Sequence, residues 1–192
     1  MRATTIQRKT KETDISLALN LDGAGKTEIN SGVGFFDHML EILTVHGGFD
    51  LTVTCKGDTR VDFHHSVEDV GIVLGNAVKT ALGDKRGIAR FADKVVPMDE
   101  CAALVALDLS GRAYLSFESP LTGMAGAFDL ELVEEFLRAF TLHAGANLYV
   151  KLLKGGNKHH EAEAIFKALA LCLKDAVKIV SDRVPSSKGM LE

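Results

Sequence analysis

The chain has 192 residues, 25% of them charged, and a formal net charge of −4. That length supports one domain or two fused halves with a substantial core, and the acidic balance without a basic stripe argues against nucleic acid as the main partner. Cys55, Cys101 and Cys172 are too far apart to form a zinc motif and too few for a disulfide framework, which favours a reducing, cytoplasmic setting.

In chain order, Met1–Lys11 is charged and strand-like with no apolar signal region, and a first strand is predicted over Arg2–Lys9. Alternation then predicts a strand over Ser16–Leu21, a helix over Phe36–Val45, a strand over Asp50–Lys56 and a helix over His65–Leu82. Gly83 and Gly87 bracket a charged turn. Beyond it come strands over Ala102–Leu109 and Ala113–Glu118, then a Gly/Pro-containing loop, Ser119–Ala127, that the first half lacks. A helix over Leu130–Leu142, a strand over Asn147–Leu153 and a helix over His160–Ser181 complete the chain. The apolar stretch Ala164–Val180 is broken by Lys167, Lys174, Asp175 and Lys178, so it reads as an amphipathic helix and not a membrane span. Its Ile165, Leu169, Cys172, Leu173 and Val177 read as core.

Each half is therefore strand, strand, helix, strand, helix. The expected fold is α+β, an internal duplication with two sheets packed against helices, and the halves are residues 1–86 and 87–192 of one compact domain. The duplication is visible in the letters. Glu12–Gly23 aligns with Glu100–Gly111, and His46–Val53 aligns with His143–Val150.

One motif is repeated with it. His64-His65-Ser66-Val67-Glu68 and His159-His160-Glu161-Ala162-Glu163 both read H-H-x-x-E and use four of the seven histidines. On a helix the Glu lies one turn from both histidines, whereas adjacent histidines diverge by roughly 100°. Each pair is therefore better placed to serve two ions than one. The repeat register sets His38, in Phe35-Phe36-Asp37-His38-Met39-Leu40, opposite Glu135 and favours Glu135 over its neighbour Glu134 by one residue. The candidate metal ligands are His38, His64, His65, Glu68, Glu135, His159, His160 and Glu163. Divided into two sets of four, they would leave positions on an octahedral ion open to substrate. His46 and His143 run into glycine-rich turns and read as structural. Arg90, Arg112, Lys167 and the tail Pro185-Ser186-Ser187-Lys188-Gly189 are candidate anion ligands. These residues alone leave open a binuclear metallohydrolase or a metal store.

The chain resembles the imidazoleglycerol-phosphate dehydratases of histidine biosynthesis over essentially its whole length. The likeness rests on Arg8-Lys9-Thr10-Lys11-Glu12-Thr13, Phe35–Leu40, Asp62–Gly71, Asp108-Leu109-Ser110-Gly111-Arg112, Asn157–Ala164 and Pro185–Gly189. It implies ribosomal protein S5 domain 2-like halves and a homo-oligomer of 24 subunits with sites between them. Each site would hold two Mn²⁺ ions on the eight ligands above. The substrate would contact those histidines and Glu68, with its phosphate on Arg90, Arg112, Lys167, Ser186 and Lys188, and Glu12 would be the acid–base carboxylate. The implied reaction converts D-erythro-imidazole-glycerol phosphate to imidazole-acetol phosphate through a metal-bound imidazolate. Family members often carry His where this chain has Glu135.

Overall fold

The computed structural model describes residues 2–191; Met1 and Glu192, the outermost residues of the two expected halves, lie outside them. The first half runs β1 (Ala3–Lys9), β2 (Thr13–Asn20), β3 (Thr27–Asn30), α1 (Gly34–Gly47), β4 (Asp50–Gly57) and α2 (His64–Leu82). The second runs β5 (Phe91–Met98), β6 (Cys101–Asp108), β7 (Tyr114–Glu118), a small hairpin of β8 (Met124–Ala125) and β9 (Phe128–Asp129), α3 (Glu131–Ala144), β10 (Asn147–Lys154) and α4 (Lys158–Ala176).

The α+β outline expected from the sequence is present, with one further strand in each four-stranded sheet and the β8–β9 hairpin at the end of the loop expected over Ser119–Ala127. β3 has only four residues with Ile29 as its one large apolar side chain, and it forms by pairing in parallel with β4. β5 carries Pro97 and both charges of Asp93-Lys94, a pattern that suits the edge position it takes. The last helix is shorter than expected. It ends at Ala176, and the β-branched Ile179 bridges back to Ile88 while Val180 N–H donates to Gly87 O at 2.7 Å. Gly87 makes that return possible: its φ is 77°, and a Cβ there would lie 2.2 Å from Ser181 O.

Both sheets have one topology. Their orders are β1-β2-β4-β3 and β5-β6-β10-β7, each with two antiparallel pairings followed by a parallel one. The register is also shared: Asn20 faces Asp50 in the first sheet, and their repeat equivalents Asp108 and Asn147 face each other in the second. Each sheet buries one face, through Ile15, Leu17, Leu19, Leu51 and Val53 in the first and Ala103, Val105, Leu107, Leu148 and Val150 in the second.

The helices pack across the halves. α1 lies on α4, and α3 lies on α2. The α2–α3 contact is close because α2 presents Gly71 and Gly75, where an added Cβ would meet Phe136 O at 2.9 Å and Phe140 O at 2.6 Å. One hydrophobic cluster joins the buried residues of both sheets and all four helices. Among the described residues no helix is long and apolar enough to cross a membrane.

Candidate active site

The two histidine pairs are placed by the same local device. Asp62 Oδ1 accepts from the His64 N–H at 2.8 Å, and Asn157 Oδ1 accepts from the His159 N–H at 2.9 Å, each satisfying a free donor in the first turn of α2 or α4. Within both pairs the ring centroids are 6.2 Å apart and the planes nearly perpendicular. The rings of one pair thus diverge, as neighbours on a helix must.

That divergence sends one histidine of each pair into a cluster and leaves the other outside it. His159 Nε2 lies 2.9 Å from Glu163 Oε1, and His38 Nε2 of α1 lies 3.2 Å from the same oxygen. In the second cluster His64 Nε2 lies 3.8 Å from Glu68 Oε2, and Glu135 of α3 joins them, with the ligand atoms of each trio within 4.8 Å of one another. Glu134 is outside the trio and pairs with Arg138, whose Nε also lies 3.8 Å from Glu135 Oε2. Each trio therefore spans two helices from different halves, and His38 and Glu135 occupy equivalent places. Converging imidazole nitrogens and carboxylate oxygens are a donor set that suits Mn²⁺ and related divalent ions.

His65 and His160 hold carboxylates of their own. His65 Nδ1 is 3.1 Å from both oxygens of Asp58, and its Nε2 is 3.7 Å from Glu12. His160 Nδ1 is 3.1 Å from Glu100 Oε2, and its Nε2 is 3.8 Å from Asp99. The sequence reading missed Asp58 and Asp99, which sit in turns without periodic pattern. Glu100 carried a signal, since it is the repeat equivalent of Glu12.

Electrostatics follow these contacts. Burial pushes the Glu163 carboxyl up, but the Lys167 ammonium at 2.6 Å and the His38 and His159 rings outweigh it and hold the pKa at about 2. Glu100 is also held at about 2, first by the Asn157 N–H at 2.6 Å and then by its own N–H and His160. Asp58, with a smaller contribution from Glu12, raises the pKa of His65.

Glu12 stands on the short β1–β2 connection with its side chain half-exposed. Its loop is anchored below: Thr10 Oγ accepts from the Glu12 and Thr13 N–H groups, and Thr13 Oγ donates to the buried Asp69 of α2. Arg8 donates to Asp69 from Nε and Nη2 at 3.1 and 2.8 Å. A cleft of about 710 Å³ opens beside His64 and Glu135. It is lined also by Asp62, Leu121, Met124 and Asp129, so the loop peculiar to the second half forms one wall.

The anion candidates gather elsewhere. Arg90, at φ 73°, clasps Asp108 at 2.6 and 3.1 Å and donates from Nη1 to Pro185 O at 2.8 Å, which ties down the tail carrying Ser186 and Lys188. The Arg90 N–H also bonds Ala176 O, at the end of α4 opposite His159. Arg112 is exposed on the β6–β7 turn, near the far end of α3. Lys167 does not join this group; its ammonium rests on Glu163. His143 Nδ1 donates to Ala139 O, as fits a structural residue, whereas His46 is exposed.

The family model for imidazoleglycerol-phosphate dehydratase matches residues 31–173. The chain is 54% identical over 195 residues to the imidazoleglycerol-phosphate dehydratase of Azorhizobium caulinodans, covering 100% of this chain and 99% of the relative. It is 50% identical over 192 residues to that of Clostridioides difficile, covering 100% of both. The crystal structure of the Staphylococcus aureus dehydratase superposes with a TM-score of 0.84 at 40% identity, covering 93% of this chain and 99% of that one. The Pyrococcus furiosus structure gives 0.85 at 35% identity, covering 97% and 100%. Fold, ligand clusters and relatives together define a lyase that removes water from a small-molecule substrate. The chain belongs to the imidazoleglycerol-phosphate dehydratase family, whose reaction lies in histidine biosynthesis.

Proposed function

We propose that the protein converts D-erythro-imidazole-glycerol phosphate to imidazole-acetol phosphate in the cytoplasm, using two Mn²⁺ ions per active site. The observation that carries this reading is the splitting of both histidine pairs. His38, His159 and Glu163 form one ligand trio, and His64, Glu68 and Glu135 form another; His160 lies in a third group with Asp99 and Glu100, and it and His65 would complete the two metal spheres from a neighbouring chain. When bound, the ions would acidify the substrate's ring N–H and hold its hydroxyl.

The chain's own residues supply the rest. The reaction removes a proton from carbon and hydroxide from the adjacent carbon as water, and the enol formed tautomerises to the ketone. Glu12, half-exposed beside His65 and held by the Thr13–Asp69–Arg8 anchor, moves the proton. Arg112, Ser186 and Lys188 take the phosphate, and Arg90 both adds charge and fixes the tail. Lys167, beside Glu163, lies at the metal end and reaches the substrate from there.

One chain cannot present both ends of this site to one small substrate. Helix α4 has 19 residues, which spans about 28 Å at ~1.5 Å per residue; His159 stands at its start and Arg90 at its finish. This separation supports sites built between subunits of a homo-oligomer, for which we propose 24 copies. Glu12→Gln should abolish turnover and leave metal content intact. Loss of metal as well would remove Glu12 from the acid–base role.

A further inference from the structure

His65 and His160 are the two proposed ligands that join neither trio, and each has its Nδ1 held by a carboxylate. The partners are not copies of one another. Continuing the strand register of the repeat sets Gly155 opposite Asp58, and it sets Glu12 opposite Glu100. In the first half the carboxylate comes from the turn after β4; in the second it comes from the β5–β6 turn. Two different loops thus meet the same requirement at the same ring nitrogen, which inheritance from a common half does not explain.

Both residues are anchored, Asp58 through its backbone and Glu100 through its carboxylate. The Asp58 N–H donates to Glu12 O at 3.0 Å, and Glu100 Oε1 accepts from the Asn157 N–H at the start of α4. An ionised carboxylate only accepts, so the ring nitrogen facing it carries the proton. In the neutral imidazole the opposite nitrogen then holds the lone pair that a metal can take. Nε2 of His65 and Nε2 of His160 face only Glu12 and Asp99 across 3.7 and 3.8 Å.

We propose that Asp58 and Glu100 are positioning residues that set the tautomer and angle of His65 and His160, presenting each Nε2 to a divalent ion shared with another copy of the chain. A metal-bound histidine whose second ring nitrogen donates to a carboxylate is oriented and made a stronger ligand. The inference rests on the reading of His65 and His160 as metal ligands.

Titration of metal-stripped protein with Mn²⁺, followed by calorimetry or by the free-ion electron paramagnetic resonance signal, tests it. Asp58→Ala and Glu100→Ala should each weaken binding roughly 10–100-fold. Asp58→Asn keeps an oxygen that accepts from the His65 Nδ1–H and should recover most of that loss. Glu100→Gln keeps one oxygen where His160 Nδ1–H and the Asn157 N–H use two, so the amide comparison is read at Asp58, and a folding defect in Glu100→Ala does not decide the matter. Wild-type affinity in the alanine variants, or an Asp58→Asn variant as weak as Asp58→Ala, would overturn the positioning role. His65→Ala and His160→Ala separate the two readings: if they too bind Mn²⁺ normally, the ligand assignment itself is wrong.

Discussion

At the scale of single residues, the site is organised by what each histidine's neighbours allow. Adjacent helical positions diverge, so a doubled histidine divides its two rings between two environments, and here both copies do so. Glu163 is mostly buried between Lys167, His38 and His159. Its folded-state pKa of about 2 lies below the ordinary 4.5. The stability it contributes is therefore present above pH 4.5 and lost as the pH falls through 2. Urea titrations of metal-stripped protein should show this acid-side loss, and Glu163→Gln should flatten it.

Asp69 makes a second residue-scale prediction. It is 5% exposed and takes hydrogen bonds from Thr13 and Arg8. Asp69→Asn should cost about 1–3 kcal/mol in chemical denaturation and lower kcat more than KM, since the loop carrying Glu12 loosens while the ligand trios stay in place. An unchanged kcat would detach the anchor from catalysis. The doubled pentads and the preference for Glu135 over Glu134 were legible in the letters through periodicity and repeat register, whereas Glu12 entered only through the family resemblance. Asp58 was not legible, because a turn residue that meets a histidine through the fold leaves no local pattern.

At the scale of elements, the helices were the more readable part. Their apolar stripes fixed four segments to within a few residues, apart from the far end of α4, where Ile179 and Val180 prefer the extended return along Gly87–Ile88. β3 and β5 were invisible for a physical reason: the first is too short to alternate convincingly, and the second is a half-exposed edge with a proline. Neither announces itself until its partner strand is in place. The α2–α3 contact was equally hidden, since Gly71 and Gly75 look like weak helix formers in isolation. In the structure they let the helix bearing His64 and Glu68 approach the helix bearing Glu135. Gly75→Leu would drive a side chain into Phe140 O and Ala144 N and should destabilise by about 1–3 kcal/mol. It should also reduce Mn²⁺ affinity by separating the trio. Full retention of both would mean the close approach is not needed.

At the scale of the whole molecule, the duplicated fold places all four helix starts near the ligand clusters and leaves the tail, Arg90 and Arg112 at the other end of the second half. A site needing both ends must borrow one from another copy, so metal binding and assembly should be coupled. Chelation should reduce particle mass in light scattering, and Mn²⁺ should restore it; a particle of unchanged mass would uncouple the two. The sequence carried the duplication and the candidate ligands, but not which of them meet within one chain, because that depends on how α1 crosses to α4 and α3 to α2.

The most direct test of the account is turnover by metal-stripped protein supplied with D-erythro-imidazole-glycerol phosphate, with and without added Mn²⁺. The account predicts imidazole-acetol phosphate, detected as its ketone, only when the metal is present. Full-rate ketone formation without metal, or release of inorganic phosphate in place of the ketone, would contradict it.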